Sequence, residues 1–317
     1  MRELREAVRS RYGNAARQLT VLASTGAELA PGCCRADGPD CGCSGAYGAA
    51  ELQEVGLTDA VSLGCGNPVL LAKLRRGDIV LDLGSGGGLD VLLAASSVAP
   101  DGYVYGVDMT DEMLELANRN KARAGVTNAT FLRGTIEHVP LPDDAVDVVI
   151  SNCVINLAED KGLVIREAFR VLKPGGRLAV SDMVELRPLS AAVKKELDAW
   201  AGCIAGTIPV DAYRQLLVEA GFGAPDIEVT GEQGAGGVAG AIGSASIRAT
   251  KPRKAASIST KGADRDRSWL SRGSGRLPSA PAPLASSQPS PASADARSTP
   301  HRSGRGAEGW TGTPAAG

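Results

Sequence analysis

Cysteine is the residue type in this chain whose chemistry most needs an explanation. The 317-residue sequence holds seven cysteines, an odd number with uneven spacing. Four lie close together near the N-terminus and three stand apart: Cys33, Cys34, Cys41 and Cys43, then Cys65, Cys153 and Cys203. We expect thiols rather than a structural disulfide framework. A thiol is either a small buried hydrophobic group or a soft ligand and nucleophile, so the surrounding sequence must decide between the two.

A glycine-rich segment, Asp82-Leu83-Gly84-Ser85-Gly86-Gly87-Gly88, is the second feature that could do chemistry. Glycines after a strand let the backbone turn sharply and come close to a ligand. A dinucleotide fingerprint needs a third glycine where Leu89 stands, and no Gly-Lys-Ser/Thr follows for a triphosphate. The segment instead resembles the D-x-G-x-G-x-G signature of class I methyltransferases. That resemblance implies a loop that holds the methionine and ribose portions of S-adenosylmethionine.

An acidic residue at the end of the next strand supports this cofactor. Asp108 lies twenty residues after Gly88, where a carboxylate can accept hydrogen bonds from both ribose hydroxyls. Ile136 and Glu137 resemble the pair that contacts adenine, and we expect Asn152 to contact the cofactor as well. The full set of expected cofactor-binding residues is Asp82, Gly84, Ser85, Gly86, Gly88, Asp108, Met109, Ile136, Glu137 and Asn152.

Alternating strands and helices must position these groups. The apolar patterns predict strands at 79–83, 103–108, 129–133, 146–151 and 177–182, with weaker strands at 225–230 and 244–250. They predict helices at 3–30, 89–98, 111–124, 159–172, 190–202 and 209–221, and a turn at 173–176. Repeated β-α-β units indicate a doubly wound, Rossmann-like parallel sheet with ligands at the carboxyl ends of its strands.

The sequences around the isolated cysteines point to a narrower family. The chain resembles the bacterial branch of the arsenite methyltransferases as far as about Pro252, and Ser151–Leu157 is the most specific match. The other matching segments are Ser62–Pro68, Leu81–Asp90, Val107–Met113, Glu167–Gly176 and Trp200–Cys203. The resemblance implies that Cys65, Cys153 and Cys203 bind trivalent arsenic, supplied as arsenite or its thiol conjugates. It also implies methyl transfer to that arsenic as a detoxification reaction.

Thiolate chemistry suits this substrate without further catalytic groups. Trivalent arsenic is soft and thiophilic, and three thiolates would hold it while leaving its lone pair free to attack the methyl group. Arsenic carries no proton to remove, which agrees with a chain that has only two histidines. In this scheme arsenic is the substrate, and we expect no metal cofactor.

The four N-terminal cysteines are compatible with several roles. Their spacing, Cys-Cys-x6-Cys-x-Cys, lacks the paired C-x2-C of zinc knuckles. The family resemblance implies that one of Cys33, Cys34, Cys41 and Cys43 forms a disulfide with Cys65, which thioredoxin or glutathione then reduces. A zinc site and a dispensable loop stay open as alternatives.

The composition excludes several other classes of function. The net charge is −2 and aromatic residues make up 3%, which argues against a nucleic-acid surface, and no apolar run is long enough to span a membrane. We expect a cytoplasmic monomer with four parts: an N-terminal helix and cysteine loop (1–76), a cofactor domain (77–182), an arsenic-binding region with closing strands (183–252) and a disordered tail (253–317). Methylation of a small organic metabolite, and arsenic sequestration without catalysis, are the competing functions.

Overall fold

The computed structural model describes residues 2–25, 47–57, 64–195, 204–232 and 239–253, and a seven-stranded sheet organises them. The strands are β1 Ile79–Leu83, β2 Tyr103–Asp108, β3 Ala129–Arg133, β4 Val146–Asn152, β5 Leu172–Glu185, β6 Gly223–Glu232 and β7 Ile242–Thr250. They lie in the order β3-β2-β1-β4-β5-β7-β6. This order confirms the Rossmann-like class predicted from the sequence.

Seven α-helices accompany the sheet in the described residues: α1 Arg2–Thr25, α2 Ala49–Glu54, α3 Pro68–Ala72, α4 Leu89–Val98, α5 Asp111–Ala124, α6 Lys161–Val171 and α7 Val210–Glu219. Local sequence signals explain several ends. Asp160 caps α6 by accepting a hydrogen bond from the backbone N–H of Leu163 at 2.9 Å. Gly125 ends α5 in the left-handed conformation at φ +64°. Helix α4 and helix α5 have the predicted bounds.

The sheet buries residues on both of its faces, as the continuous apolar strands predicted. Along β1, Val80 packs in one cluster with α3 and α4, whereas Leu81 packs in a second cluster with α6 and α7. Both side chains are fully buried. Alternate residues of the central strands therefore face opposite helical layers, and this arrangement fixes the strand ends against which the site is built.

Three details of the predicted sheet are wrong. The sheet is mixed, because β7 runs antiparallel to β5 and β6. The connection between β6 and β7 is too short for the crossover helix that parallel neighbours need. The predicted turn at 173–176 lies inside β5, where Gly175 and Gly176 keep main-chain hydrogen bonds to Lys251 at 2.8 and 2.9 Å. Strand β5 therefore begins earlier than the predicted 177 and is longer.

Several predicted features fall wholly or partly outside the described residues. The helix predicted at 3–30 is described as far as Thr25. Of the helix predicted at 190–202, the described part holds only a single 3-10 turn, Val193–Lys195. The N-terminal cysteine cluster, Cys203 and the tail from residue 254 onward lie outside the description. The proposed division into four parts stays a prediction, although β6 and β7 join the same sheet as the cofactor strands.

Candidate active site

The candidate site lies where the strand order reverses. Strand β1 pairs in parallel with β2 on one side and with β4 on the other. The loops after β1 and β4 therefore diverge and leave a crevice at the carboxyl ends of the strands. The glycine segment and Asp108 lie at this edge, as do Asn152 and Cys153, in agreement with the location predicted from the strand pattern.

The glycine segment forms a backbone cradle that side chains would fill. Gly84, Gly86 and Gly88 have φ values of +72°, +49° and +86°, a region that favours glycine. A Cβ atom on Gly84 would overlap with the side chain of Val154, and one on Gly88 would lie 2.6 Å from the ring of Phe131. The backbone conformation therefore favours glycine at all three positions. At Gly84 and Gly88 a side chain would also clash with its neighbours.

Asp108 fixes the cradle from the neighbouring strand. Its Oδ2 accepts a hydrogen bond from Gly86 N at 3.0 Å, and its Oδ1 accepts one from Thr110 N at 2.8 Å. Burial raises the pKa of Asp108, whereas these main-chain hydrogen bonds act in the opposite direction. The carboxylate is thus already held at the end of β2, at the position expected for a ribose partner.

Three carboxyl groups in this crevice carry perturbed pKa values. Burial and the negative charges of Asp90 and Asp108 raise the pKa of Asp82 well above its usual value. Burial raises the pKa of Asp90 to about 6. A cationic ligand bound here would lower the pKa values of these carboxyl groups, because its positive charge stabilises the ionised carboxylates. The acids and the glycine cradle therefore fit S-adenosylmethionine, which carries a sulfonium and an ammonium group. Asp90 was not among the predicted site residues.

Asn152 links the cofactor crevice to the first cysteine. Its Oδ1 accepts hydrogen bonds from Cys65 N at 3.0 Å and Gly66 N at 3.2 Å. Its Nδ2 lies within hydrogen-bond distance of Gly66 O, Tyr47 Oη and Asp90 Oδ2, at 2.8, 2.9 and 3.2 Å. The amide is thus surrounded by partners from the protein itself. It holds the backbone on which Cys65 is carried.

Tyr47 completes this cluster with a hydrogen bond from its hydroxyl to Asp90 Oδ1. Burial, followed by the charge of Asp90, raises the pKa of the phenol far above its usual value. Tyr47 therefore stays protonated and donates to the carboxylate. The sequence analysis did not identify Tyr47 as a site residue, because no local pattern connects it with Asp90, 43 positions away.

The glycines on either side of Cys65 allow its loop to lie directly on the strand ends. A Cβ atom on Gly64 would overlap with the amide of Asn152, and one on Gly66 would lie 2.7 Å from the side chain of Ser181. The Gly-Cys-Gly sequence is thus explained by close approach of the backbone to β4 and β5. This approach brings Cys65 to Cys153.

Cys65 and Cys153 form a disulfide with a Cα–Cα distance of 5.8 Å. For this pair the expectation of free thiols is wrong, because the 64–66 loop and the turn after β4 place the two sulfurs within bonding distance. The disulfide lies in an apolar cluster that includes Met183 and Ile242. Cys153 is buried and Cys65 is partly buried. Two of the three predicted arsenic ligands are therefore adjacent, and the third, Cys203, lies outside the described residues.

The remaining predicted cofactor residues occupy varied surroundings. Ser85 is buried, and its hydroxyl packs against Gly106 of β2 with no hydrogen-bond partner in the described part of the chain. Ile136 packs partly against the core. Glu137 forms an ion pair with Arg5 of α1 at 3.5 Å. Met109 follows the end of β2 directly.

Two negative findings apply to the described residues alone. None of their helices is long and apolar enough to cross a membrane. Their histidine, cysteine and acidic side chains form no group of three or more that could hold a metal ion. The zinc alternative for the N-terminal cysteines concerns residues outside this description.

Comparisons with known proteins agree with this geometry. A family model described as a methyltransferase domain matches residues 74–221. The arsenite methyltransferase of Halobacterium salinarum is 43% identical over 229 residues, 71% of this chain and 59% of the relative. The human arsenite methyltransferase is 34% identical over 171 residues, 51% of this chain and 45% of the relative. The chain spans about half the length of the curated relatives it matches.

A solved structure gives the corresponding comparison in three dimensions. It is the crystal structure of an arsenic (III) S-adenosylmethionine methyltransferase from Chlamydomonas reinhardtii, which is 34% identical in sequence. The TM-score is 0.54, and the match covers 64% of this chain and 73% of the algal one. The fold described above is thus shared with a relative of known structure.

Proposed function

The chain belongs to the arsenite methyltransferase family, and we propose that it transfers methyl groups from S-adenosylmethionine to trivalent arsenic held by cysteine thiolates. One observation carries the proposal: Cys65 and Cys153 are directly adjacent at the carboxyl edge of the sheet, beside the glycine cradle. An enzyme that methylates an organic metabolite has no need of this pair. A protein that only sequesters arsenic has no need of the cradle.

The cofactor side of the site would be formed by the cradle and its acids. S-adenosylmethionine, when bound, supplies an electrophilic methyl group on a sulfonium. The main chain of Gly84 and Gly86 would lie close to this ligand, and Asp108 would accept hydrogen bonds from its ribose. Asp82 and Asp90 would favour its positive charges. The burial and the raised pKa values of Asp82 and Asp90 support this last role.

The substrate side requires the disulfide to be reduced. Two electrons and two protons convert the Cys65–Cys153 bond into two thiols, and we propose thioredoxin or glutathione as the thiol that supplies them. Arsenite would then exchange its oxygen ligands for sulfur. An As–S bond to Cys65, to Cys153 and, as the third ligand, to Cys203 replaces each As–O bond, and each thiol proton leaves with the displaced oxygen as water. Apolar side chains pack around the pair, including the buried Met183 and Ile242.

Methyl transfer needs positioning more than acid–base chemistry. The arsenic lone pair forms the new bond to carbon, the bond between carbon and sulfonium sulfur breaks, and S-adenosylhomocysteine leaves. Arsenic is formally oxidised from the trivalent to the pentavalent state, and a thiol reductant must return it to the trivalent state. Holding the reacting atoms in a near-attack geometry can supply roughly 7–11 kcal/mol. The hydrogen bonds from Cys65 N and Gly66 N to Asn152 Oδ1 contribute to this positioning, because they hold the loop that carries Cys65.

The direct test is arsenic speciation after reaction of the protein with arsenite, S-adenosylmethionine and glutathione. We expect methylated arsenic in the wild type and near-complete loss in Cys153→Ser. Calorimetry should show that Cys153→Ser keeps the affinity for S-adenosylmethionine, because this residue lies outside the cradle. Bound cofactor without any methylated arsenic would contradict the proposal and favour an organic substrate. Bound arsenite without cofactor binding would favour sequestration.

A further inference from the structure

The backbone of Cys153 has an unusual conformation for a residue that is not glycine. Its φ is +57°, in the left-handed region. A residue with a Cβ atom adopts this region only where neighbouring contacts enforce it. Cys153 is the first residue after β4 and is buried. The direction of its sulfur therefore depends on whatever holds the turn that follows.

A buried amide holds that turn from within. Asn156 is fully buried in the 3-10 turn Ile155–Leu157. Its Nδ2 donates to Asp182 Oδ1 at 2.8 Å and to Met183 O at 2.6 Å. Cys153 N also donates to Ser181 O at 2.8 Å. The turn is thus fastened to consecutive residues of β5, at both ends of the segment that carries the sulfur.

A buried lysine also binds the main chain of the same turn. Lys161 is 6% exposed. Its Nζ donates to Asn156 O at 3.4 Å and to Ala158 O at 3.0 Å. The ammonium thus binds two carbonyls of the segment that follows Cys153. It also lowers the pKa of Asp182, although burial is the larger effect and raises that pKa to about 7.

The buried polar cluster around Asn156 contains more polar side chains than are needed to pack the turn against β5. Asn156 Oδ1 is buried and has no hydrogen-bond partner among the described residues, and the buried hydroxyl of Tyr213 on α7 interacts with Asp182 in the same cluster. Incompletely satisfied buried groups cost stability, and apolar residues of similar shape would avoid that cost. The cost is explained if the network serves the orientation of the neighbouring cysteine.

We propose that Asn156 and Asp182 are positioning residues for the thiolate of Cys153. They hold the left-handed turn so that this sulfur faces Cys65 and the arsenic between them. The inference rests on the proposed function, because it assigns Cys153 to arsenic binding. Neither residue contacts the arsenic or the cofactor in this scheme. Their effect reaches the reaction through the backbone of Cys153 alone.

The test measures arsenite binding by reduced protein without the methyl donor. Asn156→Ala should weaken arsenite binding about tenfold, the loss that follows from about 1.4 kcal/mol, and arsenic X-ray absorption should show one sulfur neighbour fewer. Affinity for S-adenosylmethionine should change less than about twofold. Asp182→Leu should give the same loss. Asp182→Asn should give a smaller one, because it keeps an oxygen that can accept from Asn156.

Asn128→Ala is the matched control, because Asn128 Nδ2 also donates to two main-chain oxygens, Ala95 O at 2.9 Å and Gly102 O at 3.2 Å. Asn128 directly precedes β3, at the edge of the sheet opposite Cys65 and Cys153. We expect this variant to keep its arsenite affinity and sulfur coordination. All variants are compared at a temperature at which circular dichroism shows that they are folded. If Asn156→Ala does not fold, the comparison of Asp182→Asn with Asp182→Leu decides.

Three results would overturn the inference. The first is unchanged arsenite affinity and coordination in Asn156→Ala. The second is an equal loss in Asn128→Ala, which would indicate a general effect of stability. The third is an equal loss in Asp182→Asn and Asp182→Leu. Failure of the wild type to methylate arsenite would contradict the proposed function instead, and the binding measurement keeps the two outcomes separate.

Discussion

Asn152 Oδ1 accepts a hydrogen bond from the backbone N–H of Cys65 at 3.0 Å, so the residue directly before Cys153 holds the loop that carries its disulfide partner. One side chain thereby sets the relative position of two proposed arsenic ligands. This differs from the role expected from the sequence, in which Asn152 contacts the cofactor. The two roles make different predictions.

At pH 8, above the Asp90 pKa of about 6, replacing Asn152 with alanine should raise the KM for arsenite about tenfold and leave the affinity for S-adenosylmethionine within about twofold. The reason is that the variant releases Cys65 N and Gly66 N from their acceptor while the cradle is unchanged. Steady-state kinetics and calorimetry measure the two quantities. A large loss of cofactor affinity with an unchanged KM for arsenite would instead support the cofactor contact.

Removing the hydroxyl of Tyr47 should shift the pH dependence of cofactor binding upward. The folded pKa of Asp90 is about 6, and the hydrogen bond from Tyr47 lowers it. If ionised Asp90 favours the cationic cofactor, binding weakens as the pH falls through about 6. In Tyr47→Phe the pKa of Asp90 rises, so the weakening should begin at a higher pH. Calorimetric titrations between pH 5 and 8 would detect the shift.

Tyr103→Phe provides the control for that experiment. The Tyr103 hydroxyl also lies in a side-chain hydrogen bond, at 2.7 Å from Thr130 Oγ1, but on β2 and β3 away from the acids of the crevice. Its loss should leave the pH profile in place. Identical profiles for Tyr47→Phe and the wild type would show that Asp90 does not control cofactor binding.

Gly84→Ala should abolish cofactor binding and destabilise the fold by more than the cost of its backbone conformation, about 1–2 kcal/mol. Its φ is +72°, and the added methyl would overlap with Val154. Gly125→Ala has a similar φ of +64° but nothing within 4 Å of the new Cβ atom. It should therefore show the backbone cost alone. Urea unfolding and calorimetry compare the two, and equal losses of stability would argue against the clash.

The contribution of Asp182 to the free energy of unfolding should fall as the pH rises from about 4 to about 7. The folded pKa is about 7 and the ordinary value is 3.8, so the folded state binds more protons across this window and its stability falls with increasing pH. Asp182→Asn removes that dependence. Relative to the wild type, this variant should gain about 4 kcal/mol in the free energy of unfolding between pH 4 and pH 8. Urea unfolding at both pH values measures the difference, and an unchanged difference would show that Asp182 is not held protonated.

The sequence was sufficient for the parallel half of the sheet and for the location of the site. Strands β1, β2 and β3 have the predicted bounds, because buried parallel strands read as short apolar runs and glycines mark their ends. The direction of β7 was not predicted, since apolar alternation does not distinguish parallel from antiparallel pairing. The length of β5 was missed because its glycines resemble a turn although their main-chain groups remain paired.

The side-chain clusters of the site were harder to predict than its location. Asp108 could be identified because it ends a strand at a fixed distance from the glycine segment. Tyr47, Asp90 and Asn152 belong to three separate elements, so only the folded chain brings them together. The same is true of Asn156 and Asp182. Their types are ordinary for polar residues near strand ends, and only their burial and contacts distinguish them.

The packing of Gly64 against the Asn152 amide makes these two positions interdependent in sequence. A larger residue at position 64 requires a smaller one at position 152, and the smaller residue would release the loop of Cys65. Single-site libraries would therefore record both positions as intolerant, whereas a paired library would recover folded proteins that have lost the spacing between the two sulfurs. In related sequences the two positions should be conserved or replaced together. We therefore expect the Gly64–Asn152 pair to mark related chains in which the two cysteines keep this spacing.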